Sequence, residues 1–369
     1  NMGFCMNLTH FQLATNLNKL DIVQPRRDHL FELPPPIQKW CITHLLKGQQ
    51  EQNIYILLVM INILLTSLPM ILGLYLLEGW LNGFWIAALG AGYFYFHITT
   101  YARSFILALH YSTHTPIFNK KWRFLKHVNT SFLCALFGIP PWMYYAHHIA
   151  MHHSENNTMP YDLSSTMPYQ RDSKWHHFLY MLRFAIAIWV ELPYVLFRKQ
   201  NYQVMARCIV GEGLFFTIIA ILFFYRPIAT TFVFLLPVAV ISFALMQGNW
   251  KQHIFVDPDD PTNTYKSTFT CINTPTNAGN FNDGYHIEHH ENPAMPWYRL
   301  PEYFHSKLPE YAKHDGFVFT GIGSMAVGRL VLNKDLDTLA DHYLNVGQKQ
   351  RTKAELIAEF KRRLVPIQS

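Results

Sequence analysis

Charge is scarce in this chain. Only 15% of its 369 residues are Asp, Glu, Lys or Arg, against roughly 25% in ordinary soluble domains. Half of the residues are hydrophobic and 15% are aromatic. That balance argues against a wholly soluble globule and fits a membrane protein with a substantial wet part. Cysteine is also sparse. Cys5, Cys41, Cys134, Cys208 and Cys271 lie far apart and form no CxxC pair, which argues against a disulfide framework and for free thiols in a reducing compartment. The formal charge is +6, yet no dense basic stripe is present, so nucleic acid is not an expected partner and the scattered cations fit a membrane surface. Residues 1–53 are mixed and polar, with a Pro-broken stretch "QPRRDHLFELPPPIQKW" and no pattern of a cleavable signal.

Four apolar runs have the length of about 20 residues that a helix needs to cross a bilayer core. They cover about 54–77, 84–106, 208–225 and 228–247, the third weakened by Glu212. Two further apolar stretches compete. Residues 130–143 span only roughly 21 Å as a helix. Residues 178–197 carry Arg183, Glu191 and Pro193, which suits a helix lying in the interface. The expected architecture is an all-α integral membrane protein with four transmembrane helices in two hairpins, interfacial helices near 130–143 and 178–197, and a histidine-rich cap. Its parts are an N-terminal segment 1–53, a central domain 54–309 and a C-terminal segment 310–369. The hairpin connections "LEGWLNG" and "RP" carry one basic residue, Arg226. The opposite-side segments carry Lys120, Lys121, Arg123, Lys126, Arg171, Lys174, Arg198 and Lys199. The positive-inside rule places the termini and the cap in the cytosol.

What is abundant is histidine, with 20 copies, and many of them are clustered. His110 and His114 ("HYSTH") are four apart. In "HHIAMHH", His148 and His152 are four apart, with His153 beside them; His147 is an alternative start of that run, and the spacing favours His148. Asn249 and His253 ("NWKQH") repeat the interval. In "NDGYHIEHH", His286 precedes His289 by three and His290 by four. Positions i and i+3 or i+4 share one face of a helix, so each cluster presents its side chains together. With an even number of spans between them, the clusters lie on one side of the membrane. Nine imidazoles exceed what one metal holds. Zinc usually takes four ligands and does no redox chemistry, whereas two six-coordinate, redox-active irons accept all nine and leave room for water or O₂. His97, in mid-span, is expected either to bond a neighbouring helix or to line a substrate cavity with Tyr93 and Phe96.

These motifs resemble the three histidine boxes of the membrane fatty acid desaturase and hydroxylase superfamily: HxxxH at His110–His114, HxxxHH at His148–His153 and HxxHH at His286–His290. Asn249 and His253 resemble the extra ligand pair of acyl-lipid and acyl-CoA desaturases, the asparagine acting through a water. The resemblance implies an O₂-dependent oxidoreductase with two Fe ions that introduces a double bond into a fatty acyl chain. Hydroxylation, acetylenic-bond formation and oxidative decarboxylation to a terminal alkene are alternatives at the same site, and a non-catalytic lipid-binding relic is an alternative of another class. The implied substrate is a free acid, an acyl-CoA, an acyl carrier protein or a complex lipid. The implied membrane is the bacterial inner membrane or the endoplasmic reticulum. No HPGG stretch is present, so the electron donor is expected to be a separate protein such as ferredoxin or cytochrome b5. Glu155, Asp257, Asp283 and Glu288 are the expected partners that fix the imidazole tautomers.

Overall fold

The computed structural model describes residues 17–22, 30–347 and 349–367; Cys5 lies outside them. The chain is nearly all-α and divides into two compact units.

Among the described residues, the first unit comprises 30–166 and 175–249. It opens with α1 (Pro35–His44), followed by α2 (Ile54–Leu77), whose 24 residues carry no charge. The only strongly polar group buried in its first half is Asn62. Its amide side chain accepts from Phe31 N at 2.8 Å and donates to Phe31 O at 3.0 Å, which ties the N-terminal approach segment to the helix. After the short link 78–82, α3 (Gly83–His114) runs for 32 residues, capped by the Asn82 side chain on Trp85 N. The two helices pack along one another. Next comes α4 (Met143–His147), which passes directly into a π-helix at His148–His153. Then follow α5 (Lys174–Arg198), α6 (Tyr202–Tyr225) and, after a helical turn at Pro227–Thr230 and a π-turn at Thr231–Leu235, α7 (Leu236–Gln252).

The ends of this unit are held by a cap that crosses between the two links. Both carboxylate oxygens of Glu78 accept from the first free amides of the turn after Arg226, Ile228 N at 2.9 Å and Ala229 N at 2.8 Å, while Arg226 Nε donates to Tyr75 O at 3.0 Å. Free N–H groups at a helix start need such acceptors. The α2–α3 and α6–α7 links therefore lie at one and the same end of this unit.

By length and apolar composition, four helices qualify to cross a membrane: Glu51–Leu77, Lys174–Arg198, Tyr202–Tyr225 and Pro227–Gln252. The number matches the sequence expectation, and the membership differs in one helix. α3, expected to cross from 84 to 106, falls outside the set because Tyr, His, Thr and Gly dilute its hydropathy. α5, expected to lie flat, enters it. Arg183 Nη2 meets Glu191 Oε2 at 2.8 Å, so the two charges that argued against a span neutralise each other. The buried residues of α5, among them Tyr180, Phe184, Ile188, Leu192 and Val195, form a single stripe, which is the pattern of an amphipathic helix. α3 follows α2 after a link of five residues.

One glycine decides how the chain packs before α4. Gly138 has φ +71°, and a Cβ there would stand 2.3 Å from Val238 N and 2.4 Å from Val238 Cα. Backbone meets backbone, so nothing can yield. Gly138→Ala is expected to destabilise the unit by about 3 kcal/mol, read as a lowered thermal midpoint of the full-length protein in detergent; an unchanged midpoint would contradict this packing.

Among the described residues, the second unit comprises 17–22, 167–174, 250–347 and 349–367. Its centre is a two-stranded parallel sheet of β1 (Phe269–Ile272) and β2 (Phe317–Thr320), in register Phe269 to Phe317 and Ile272 to Thr320. Around it stand α8 (His286–Glu291), α9 (Leu300–His314), α10 (Ser324–Leu332) and α11 (Lys353–Arg362). Phe255, Phe317, Phe319 and Phe360 form an aromatic core with ring centroids 5.3 to 6.3 Å apart. Residues 310–367 are thus integral to the unit that carries His253 and α8. Arg171, fully buried, locks the end of the chain in place. It donates to Ile254 O (3.0 Å), Arg363 O (2.9 Å) and Val365 O (2.7 Å). Arg171→Leu would orphan these carbonyls and is expected to destabilise by about 3 kcal/mol, measurable as an earlier urea midpoint; no shift would mean that the carbonyls are satisfied otherwise.

Candidate metal centre

Each unit gathers its own histidines. In the first, the last turn of α3 presents His110 and His114, and the π-helix presents His148 and His153. Their ligand nitrogens all lie within 4.8 Å of one another. His148 Nε2 is 3.0 Å from His114 Nε2 and 3.1 Å from His153 Nε2. Two imidazole nitrogens bound at right angles to one metal, with bonds of about 2.1 Å, stand about 3.0 Å apart. The observed spacing matches that of adjacent ligands in one coordination sphere.

The π-helix explains which residues of the second run meet. A regular α-helix puts His148 and His152 on one face, as expected from the sequence. The wider i→i+5 turn brings His153 to His148 instead and rotates His152 to a different partner. π-turns of this sort are frequent at functional sites. His152 Nδ1 donates to Asp162 Oδ2 at 2.8 Å, and Ser164 Oγ lies 3.2 Å from the same nitrogen. That hydrogen bond fixes the tautomer and leaves Nε2 for a metal. Asp162 also accepts from Asn157 N at 3.0 Å and Ser164 N at 2.8 Å. Burial pushes the Asp162 carboxyl up, but His152, Ser164 and His147 outweigh it and hold it below the ordinary value. The sequence reading missed Asp162. It sits in the loop "YDLSS" beyond the box, at no helical interval from it.

In the second unit, His253 Nε2 lies 3.2 Å from His286 Nε2, and the His253 and His290 rings are 4.9 Å apart. His286 and His290 stack edge to face at 4.7 Å, and His289 stands 5.9 Å from each of them on α8. Ser267 O accepts from His253 Nδ1 at 3.0 Å, again leaving Nε2 for a metal. Burial, followed by repulsion from neighbouring imidazoles, pushes His110 and His148 well below the usual histidine value and His114 to about 3. The rings are therefore neutral near pH 7, which is the form that binds metal.

Asn249, on α7, donates both amide hydrogens, to Ser164 O at 2.8 Å and to Tyr180 OH at 2.7 Å. Its remaining polar side-chain atom is Oδ1, an acceptor. The expected tautomer-fixing acids have other partners. Glu155 pairs with Lys199, and Asp257 holds Arg362 Nη1 at 2.9 Å. Glu288 accepts from Thr270 Oγ1 at 2.8 Å and Tyr311 OH at 2.5 Å. Among the described residues none of these three bonds an imidazole. Burial drives the Glu288 and Asp283 carboxyls up to about 7, against hydrogen bonds from Tyr311 and Thr270 in the first and from Gln252 in the second. His97 Nδ1 bonds Ser67 Oγ at 2.8 Å and its ring stacks on Phe137 at 4.2 Å and on Tyr93 at 5.3 Å; Phe96 lies edge-on to Tyr101. All four cysteines among the described residues are free and buried.

The family described as fatty acid desaturase matches residues 83–321, a stretch that begins with α3 and includes every histidine of the two clusters. No curated protein and no solved structure matches the chain.

Proposed function

The chain belongs to the fatty acid desaturase family, and on that premise we propose that it is a di-iron, O₂-dependent desaturase of a lipid acyl chain. Family membership makes it a membrane protein with desaturase- or hydroxylase-type oxidoreductase chemistry on a lipid. The observation that supports the metal is the 3.0 and 3.1 Å separation of the His148, His114 and His153 nitrogens. Neutral imidazoles crowded to that distance are stabilised by a shared cation. We assign His110, His114, His148, His152, His153, His253, His286, His289 and His290 as ligands of two irons, and Asn249 as the partner of a metal-bound water. Iron suits an all-imidazole site and changes oxidation state, which zinc does not.

Bound iron supplies O₂ activation and the removal of hydrogen from an unactivated methylene, which no side chain here can perform. The chain's own residues fix ligand direction: Asp162 through His152, and Ser267 O through His253. Burial of His110, His152, His253, His286, His289 and His290 limits the access of bulk water. We take about 54–77, 84–106, 208–225 and 228–247, within α2, α3, α6 and α7, as the spans, with the histidines beyond them on the cytosolic side. Electrons come from a separate carrier protein.

The test is mass spectrometry of lipids and hydrocarbons from a host expressing the chain, beside the same host expressing His289→Ala. A double bond at a defined position in the wild-type sample, absent from the variant, supports the reading. A hydroxylated product or a terminal alkene would reassign the reaction at the same site. Identical lipid profiles would refute it.

A further inference from the structure

His147 and His148 are neighbours in sequence and face different surroundings. His148 turns to His114 and His153. The His147 ring lies edge-on to Phe184 at 5.0 Å and parallel to His152 at 6.4 Å, and its Nε2 is buried without a hydrogen-bond partner. His147 lines a cavity of about 40 Å³ whose other walls include Tyr144, Phe184, Ile188, Trp189, Ser242 and Leu245. Two of the polar hydrogens there are already committed: Ser242 Oγ donates to Val238 O at 2.7 Å and Trp189 Nε1 to Ala185 O at 2.9 Å. A buried water wants two to four polar partners, and this cavity supplies it poorly. A wholly apolar occupant would leave the imidazole unsatisfied. The complementary guest is apolar apart from one oxygen.

We propose that His147 reads the carbonyl end of the acyl substrate, donating a hydrogen bond to the carboxyl or ester oxygen while the first carbons of the chain fill the cavity. This rests on the desaturase reading and adds to it a substrate orientation and a region of attack. The cavity is too small for a whole fatty acyl chain, so only one end enters. Tyr144, a wall of the cavity, packs its ring on His148 at 5.2 Å, so the cavity lies one side chain away from a ligand. The carbons nearest the metal are those next to the carbonyl, and the new bond is placed near that end of the chain.

Trp189 serves as the reporter, because bromine quenches indole fluorescence only at short range. The full-length protein in detergent is titrated with 2,3-dibromostearic acid and, separately, with 9,10-dibromostearic acid. The Trp189 component is obtained by difference from Trp189→Phe. The acid brominated beside its carboxyl is expected to quench that component at least twofold more. His147→Leu weakens its binding about tenfold, and His147→Gln, which keeps a donor, retains most of it. Equal quenching by the two acids would mean that the cavity takes mid-chain carbons and overturns the proposal. So would a His147→Leu titration identical to wild type, or a His147→Leu protein that loses its iron, which would make His147 a ligand. Since binding is read without turnover, an inactive wild-type protein would sink the desaturase reading and leave this result standing.

Discussion

Replacing His148 by alanine is expected to strip metal from the protein and to lower acyl-chain oxidation by more than about 100-fold. The reason is its place in the cluster. His148 Nε2 lies within 3.1 Å of both His114 and His153, and its ring meets His110 at 4.4 Å. With three cluster partners so close, loss of His148 removes a proposed ligand and the spacing of the remainder. His147→Ala is the control beside it, since His147 shares the helix and not the cluster. Metal content separates a ligand from a packing residue. His148→Ala loses iron while His147→Ala keeps it; equal iron in the two variants would contradict the assignment.

Asp162→Ala carries the second-largest expected effect. The carboxylate is fully buried and accepts four hydrogen bonds, from His152 Nδ1, Asn157 N, Ser164 N and Ser164 Oγ. One of them orients His152, a proposed iron ligand, and the other three fold the loop that carries the carboxylate. Removing the acid frees the His152 ring to change tautomer and to rotate. Partners of this kind are worth about 10–100-fold in metal affinity or activity. Competition with a chelator of known affinity measures the loss directly. Asp162→Asn keeps the shape and an acceptor oxygen, so it is expected to fall between wild type and alanine. If alanine and wild type hold iron equally, the acid only shapes the loop.

The outline of this protein is legible from sequence because two of its determinants are periodic. Long uncharged runs mark the helices, and the recurring interval of three or four marks the histidine faces. What escaped depends on hydrogen-bond register and on loops. The π-turn at 148–153 changes which histidine faces His148, and spacing alone carries no trace of an i→i+5 bond. Asp162 follows the box by a turn-rich stretch whose path only the folded chain defines. Glu155 and Asp257 lie close to histidines in sequence, which suggested a role at the metal; Lys199 and the Arg362–Arg363 pair claim them instead, because a nearby cation outcompetes a neutral ring. α5 has the length and composition of a span, and Arg183 and Glu191, two charges in sequence, form one ion pair in the fold.

Iron analysis of the intact, purified protein tests the central claim most directly. The account predicts two irons per chain, with the number falling in both His148→Ala and His286→Ala while His147→Leu keeps it. A single zinc in place of iron, or an iron content that neither alanine variant changes, would contradict it.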